Sequence, residues 1–106
     1  MKTSELTGAA LDWAVAKCEG ALWDGEGEPA SYQTAYPEYS SWWQHGGPII
    51  AREFINVAYD DVWTAEDVDG NTQWGDTPLI AAMRCYVASK LGDEVDVPEE
   101  LKGEQK

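Results

Sequence analysis

The sequence predicts an α+β fold in which two main helices pack on a small antiparallel sheet, within a single compact domain covering residues 1–106. Three observations carry this expectation. Apolar residues recur at helical spacing near both ends of the chain. The stretch between them alternates in short runs broken by Gly and Pro. The length, 106 residues, suits one domain and falls short of two conventional ones.

The first helix follows Thr7, a residue type suited to capping, and places Leu11, Ala14, Val15 and Cys18 on one face with Trp13 on its flank. Gly20 supplies its stop. Residues 21–43 contain Gly25, Gly27, Pro29 and Pro37, which forbid one long regular element. Gly47-Pro48 opens a single helical turn through residues 49–53. Ile55, Val57 and Tyr59 then alternate as a half-buried strand, with residues 62–65 as its candidate partner. Asp69-Gly70-Asn71 marks a turn. The second helix has Thr77 as N-cap, Pro78 at its first position and Gly92 at its end. Its stripe is Ile80, Met83, Val87 and Leu91, flanked by Leu79, Ala82 and Tyr86. An acidic, polar tail runs from about 93 to 106, with a short helix expected from Pro98 to Leu101.

Composition excludes several classes of function. Twenty Asp+Glu against seven Lys+Arg give a formal net charge of -13 and a pI near 4.1. A basic face gripping a nucleic-acid backbone needs clustered Lys and Arg, so no direct nucleic-acid contact is expected. Nor is this a disordered acidic tail, because 43% of residues are hydrophobic and the chain holds six Trp, five Tyr and one Phe. No apolar run approaches the roughly 20 residues that cross a bilayer, and the start lacks the apolar core of a signal peptide. A soluble, intracellular protein is the expectation. Cys18 and Cys85 stand apart and, with one His, make no metal set; both are expected as small buried apolar residues, and no metal or cofactor is expected.

Three segments carry a family likeness. They are residues 1–20, with Leu6-Thr7-Gly8-Ala9-Ala10-Leu11-Asp12-Trp13-Ala14-Val15-Ala16; the run Gly46-Gly47-Pro48-Ile49-Ile50-Ala51-Arg52-Glu53; and residues 75–95. Together they resemble the small NinX-like proteins of tailed phages and prophages of enteric bacteria, a family of unknown function. Phe54 departs from the family pattern, which has Gly at that place. The resemblance implies a phage accessory protein working in the host cytoplasm and brings no catalytic residues with it.

Candidate functional residues come from scarcity. Between Cys18 and Ser89 stand twelve acidic residues and two basic ones, Arg52 and Arg84. A guanidinium is suited to phosphate or carboxylate by paired hydrogen bonds, yet Glu53 and Asp76 lie beside these arginines in sequence and offer structural ion pairs instead. Trp42 and Trp43 precede His45, with Trp23, Tyr32, Tyr36 and Tyr39 in loop-like sequence nearby; such aromatics suit stacking on bases, or, as for Trp13, Trp63 and one of Trp42 and Trp43, filling a small core. Thr77 edges a helix N-terminus, where free amides attract anions, although capping accounts for it equally. His45 stands without a second histidine for a relay, and neither a Gly-x-Ser-x-Gly elbow nor a phosphate loop is present. Asp67-Val68-Asp69-Gly70-Asn71 lacks the spacing and terminal Glu of a calcium loop.

These residues support a non-catalytic binder. The first reading is a counter-defence protein that sequesters a small nucleotide-derived immune signal. Its pocket would be built from Trp42, Trp43, His45, Arg52, Trp63, Thr77 and Arg84, and completed between subunits of a homo-oligomer because so short a chain encloses little volume. The alternative is an acidic nucleic-acid mimic that inhibits a host DNA-binding protein or nuclease.

Overall fold

The computed structural model describes residues 1–19 and 38–97. Three helices, α1 (Gly8–Glu19), α2 (Trp43–Arg52) and α3 (Pro78–Leu91), accompany three strands, β1 (Asn56–Asp60), β2 (Val62–Glu66) and β3 (Thr72–Gly75). A 3-10 turn, Thr3–Glu5, precedes them. The strands form an antiparallel sheet in the order β1-β2-β3, as the α+β expectation requires.

The centre of the molecule is α3. It packs on all three strands, on α1, on α2 and on the 3-10 turn. Leu79, Ala81, Ala82, Met83, Cys85, Tyr86 and Val87 are accordingly buried, so burial spreads around the helix beyond the expected stripe. Its ends match the sequence expectation. Thr77 Oγ1 accepts the Ile80 amide at 3.1 Å, Pro78 occupies the first turn, and Gly92 closes the helix at φ +87°. Residues 10–16 of α1 are also all buried, Trp13 and Asp12 among them, while Cys18 lies half-buried at its edge. The expected stop at Gly20, the loop interior with Trp23, Tyr32 and Tyr36, and the short helix from Pro98 lie outside the described residues.

Three elements differ from the expectation. In place of one turn after Gly47-Pro48, α2 is a ten-residue helix that starts at Trp43 and carries Pro48 inside it. Gly46 makes this helix fit. A Cβ there would stand 2.4 Å from the Tyr39 carbonyl oxygen and 2.7 Å from Leu79 Cδ2, so the glycine that reads as a breaker is a close contact between α2 and its surroundings. The strand β3 has no counterpart in the sequence reading; it lies tightly on α3, where a Cβ on Gly75 would meet the Ala81 nitrogen at 2.6 Å. The segment after α3 is not simply a polar tail either. Thr3 N–H donates to Asp93 O and Val95 N–H to Met1 O, both at 2.8 Å, and Val95 and Val97 are buried.

The register sorts the sheet into two faces. Val57, Tyr59, Trp63, Ala65, Gln73 and Gly75 share the side turned to α3, with Ala65 and Gly75 buried. The residues between them point the other way. Two backbone features sit at the connections: Asp61 turns β1 into β2 at φ +67°, and Phe54 joins α2 to β1 at φ +55°.

Candidate functional site

Arg52 closes α2, and every nitrogen of its guanidinium is engaged. Nη1 and Nη2 donate to the two carboxylate oxygens of Glu19 at 3.1 and 2.6 Å, Nε donates to Glu53 Oε2 at 2.8 Å, and Nη2 also donates to the Tyr86 hydroxyl at 3.1 Å. Tyr86 in turn donates to Glu19 Oε2 at 2.5 Å. The fork of two parallel bonds to one carboxylate is the geometry a guanidinium favours. Consequences appear in the acidities. The Arg52 hydrogen bonds hold the Glu19 carboxyl below its ordinary range, and Glu19 and Glu53 raise Arg52. Burial first, and then its bond to Glu19, pushes the Tyr86 phenol up. Lys90 joins the group at 3.9 Å from Glu53 Oε1. This is the structural ion pairing that the sequence left open, with Glu19 supplying most of it from 33 positions away.

Arg84 also serves the fold. Its Nε donates to Leu6 O at 2.7 Å and its Nη1 to Trp74 O at 2.6 Å, tying the chain before α1 to β3. Burial lowers its pKa, opposed by the nearby Asp76 carboxylate. Arg84 stands two residues before Tyr86 on α3, about 200° around the helix from the Arg52 contact. Arg52, reaching from α2 to Tyr86, and Arg84 therefore lie on different sides of α3 and do not build one site.

The aromatic set divides as well. Trp42 is the N-cap residue of α2 and Trp43 its first residue, 53% and 57% exposed. His45 is half-buried, with its ring edge-on to Tyr39 at 6.4 Å. Arg52 lies about 14 Å beyond Trp43 along the same helix axis. Trp63, by contrast, belongs to the inner face of the sheet, tilted on Tyr59 at 5.1 Å and packed against the core opposite Gly75. Thr77 caps α3.

A family model described as Bacteriophage P22, NinX matches residues 2–90. The chain belongs to the NinX family. The match spans every helix and strand down to Lys90 and includes all seven candidate residues, which agrees with the resemblance read from the sequence. No curated protein matches the chain.

Other features of this NinX-family chain carry chemistry as well. Among the described residues, no group of three or more His, Cys, Asp or Glu is placed to hold a metal ion. The Asp67 carboxylate is turned onto its own loop, accepting from Asp69 N, Asn71 N and Asn71 Nδ2 at 2.8–2.9 Å, so it shapes the β2–β3 turn. Both cysteines are free thiols, pushed up to about 12 chiefly by burial. A cleft of about 260 Å³ lies between the 3-10 turn, Gln73 and the Asp93-Glu94 pair, and none of the seven candidate residues lines it. The buried Gln73 Oε1 has no hydrogen-bond partner among the described residues.

Three exposed aromatic residues stood outside the candidate set: Phe54, Trp74 and Tyr59, at 74%, 52% and 63% exposure, the last more open than the half-buried strand expected there. Around them lie carboxylates without a counter-ion. Ion pairs among the described residues engage Glu19, Glu53 and Glu94, whereas Asp60, Asp61, Glu66 and Asp69 make none. No helix among the described residues is long and apolar enough to cross a membrane.

Proposed function

We propose that this phage accessory protein is a non-catalytic binder of a host protein that presents a basic surface, such as a DNA-binding protein or nuclease. One observation carries the reading. The two arginines of the central stretch are consumed by internal acceptors, while large aromatic side chains and unpaired carboxylates face outward. Such a surface repels phosphate and attracts cations, and a net charge of -13 speeds encounter with a basic partner. Aromatic residues supply the desolvated anchors that protein interfaces need. Affinity capture from host lysate at low and high salt tests the reading. A defined basic protein retained at low salt and released as salt rises supports it, because screening weakens exposed charge pairs. Retention that is indifferent to salt overturns it.

A second reading has its own support. Trp42 and Trp43 are adjacent, exposed and at the start of a helix, an arrangement suited to stacking on a base. Since Arg52 and Arg84 are occupied, phosphate charge would have to be met by a second copy of the chain or by the α2 amides. Calorimetry against cyclic dinucleotides and cyclic ADP-ribose variants tests this: binding at micromolar concentration that is lost in Trp42→Ala supports small-ligand capture in place of protein binding.

A further inference from the structure

The side of the sheet turned away from α3 carries Ala58, Asp60, Val62, Thr64, Glu66 and Trp74, and none of these residues is buried. Register fixes how they stand to one another. Trp74 is directly across from Thr64, which makes Val62 and Glu66 its diagonal neighbours on the same face, about 7–8 Å away. The Trp74 backbone is anchored, because its carbonyl accepts from Arg84 Nη1 at 2.6 Å, while its indole stands half in solvent. Among the described residues, Glu66 and Asp60 make no ion pair, and no Lys or Arg lies on this face.

An aromatic plane held by a fixed backbone, with carboxylates beside it and no resident cation, has the chemistry of a cation receptor. The face of an indole attracts a guanidinium or ammonium group through its quadrupole, and a neighbouring carboxylate adds a charge-assisted bond. Phosphate-bearing ligands meet the wrong charge here. A second copy of the chain brings the same -13, and its seven Lys+Arg are outnumbered by twenty Asp+Glu, so net repulsion opposes it here. Spacing favours an extended partner: alternate side chains of a strand stand about 7 Å apart on one side, which matches the diagonal from Trp74 to Glu66.

We propose that the outer face of the sheet, centred on Trp74 and Glu66, docks an extended segment of a partner protein that presents arginine or lysine at alternate positions. The proposal rests on the protein-binding reading above and names the surface that performs it. The guanidinium of one partner residue lies on the Trp74 ring, and the next cation along pairs with Glu66.

Fluorescence anisotropy with a labelled twelve-residue peptide alternating arginine and serine tests the assignment, with a citrulline–serine peptide as the uncharged counterpart. The expected result is saturable binding of the arginine peptide to the full chain and none of the citrulline peptide. Trp74→Ala weakens binding about fivefold, and Trp74→Leu, which keeps apolar bulk without a ring, does the same. Glu66→Gln weakens binding about threefold, while Asp96→Asn, an equal loss of charge outside the strands, in the segment after α3, leaves it within about 1.5-fold. Binding that is unchanged in both Trp74 variants, or equally reduced by Asp96→Asn and Glu66→Gln, overturns the site and leaves the general protein-binding reading standing. Absence of arginine-peptide binding to the wild-type chain overturns both.

Discussion

At the scale of single residues, the most informative position is Phe54. Its φ of +55° places a bulky side chain in the left-handed region, and its 74% exposure means that burial returns almost nothing. A non-glycine residue there costs about 1 kcal/mol or more. Glycine removes the clash between Cβ and the backbone while adding some entropy to the unfolded chain. Phe54→Gly is therefore expected to stabilise the fold by roughly 0.5–1 kcal/mol, and Phe54→Ala, which keeps the Cβ, is expected to leave stability almost unchanged. Thermal melts of the two variants beside the wild type check this; a lower midpoint for Phe54→Gly contradicts it. The sequence showed the anomaly as a departure from a family pattern. It did not show that the side chain is exposed, since that depends on what folds over the end of α2.

At the scale of elements, the two adjacent glycines of α2 separate local from tertiary requirements. Gly46 faces the Tyr39 carbonyl and Leu79 too closely for a methyl group, and part of that obstacle is backbone that cannot rotate away. Gly47 meets only Trp43 Cε3 at 3.6 Å, an ordinary contact. Gly46→Ala is expected to cost about 1–3 kcal/mol through overpacking, whereas Gly47→Ala gains up to about 1 kcal/mol from helix propensity. Urea unfolding of both variants reads the opposite signs; two changes of the same sign refute the packing argument. The same contrast accounts for what the sequence disclosed. Both long helices were legible because caps and apolar spacing are local properties, as Thr77, Pro78 and Gly92 illustrate. The full length of α2 was hidden by Gly46-Gly47-Pro48, whose meaning depends on Tyr39 and Leu79. The four-residue β3 was hidden because its decisive residue, Gly75, is small only to admit Ala81. For the candidate site, the scarcity of arginine was visible in composition. The acceptors that occupy it, Glu19, Leu6 and Trp74, are separated from Arg52 or Arg84 by 10 to 78 positions, a distance that no local pattern encodes.

At the scale of the whole molecule, stability depends on how a large negative charge is distributed, and two carboxylates give that dependence its shape. Asp12 is 7% exposed and accepts the Ser40 amide at 2.8 Å; burial raises its pKa despite that bond. The folded state therefore holds the Asp12 proton more tightly than the unfolded chain, and this group's stabilisation is complete at low pH and lost as pH rises through its folded value. Glu19 acts in the opposite direction. Its pKa is lowered by Arg52, so its contribution is present above the ordinary carboxylate range of about 4 and is lost as pH falls through the depressed value. General repulsion within a chain of formal charge -13 reinforces the Asp12 trend, since partial protonation relieves it. Stability is thus expected to rise on mild acidification from pH 7 and to decline at lower pH, where the Glu19–Arg52 pair is discharged below the ordinary carboxylate range. Asp12→Asn, which keeps an oxygen for the Ser40 amide and removes the buried charge, is expected to raise the midpoint at pH 7 and flatten the upper limb. Glu19→Gln lowers the midpoint at pH 7 by an amount equivalent to about 1 kcal/mol and flattens the acid limb. Added salt should raise the wild-type midpoint at pH 7, because screening like-charge repulsion outweighs the weakening of a few ion pairs. Melts across pH 3.5–8 at two salt concentrations decide the matter. A midpoint that falls with salt at pH 7, or an upper limb unchanged in Asp12→Asn, shows that the ion pairs around Arg52 govern stability more than the net charge or the buried carboxylate.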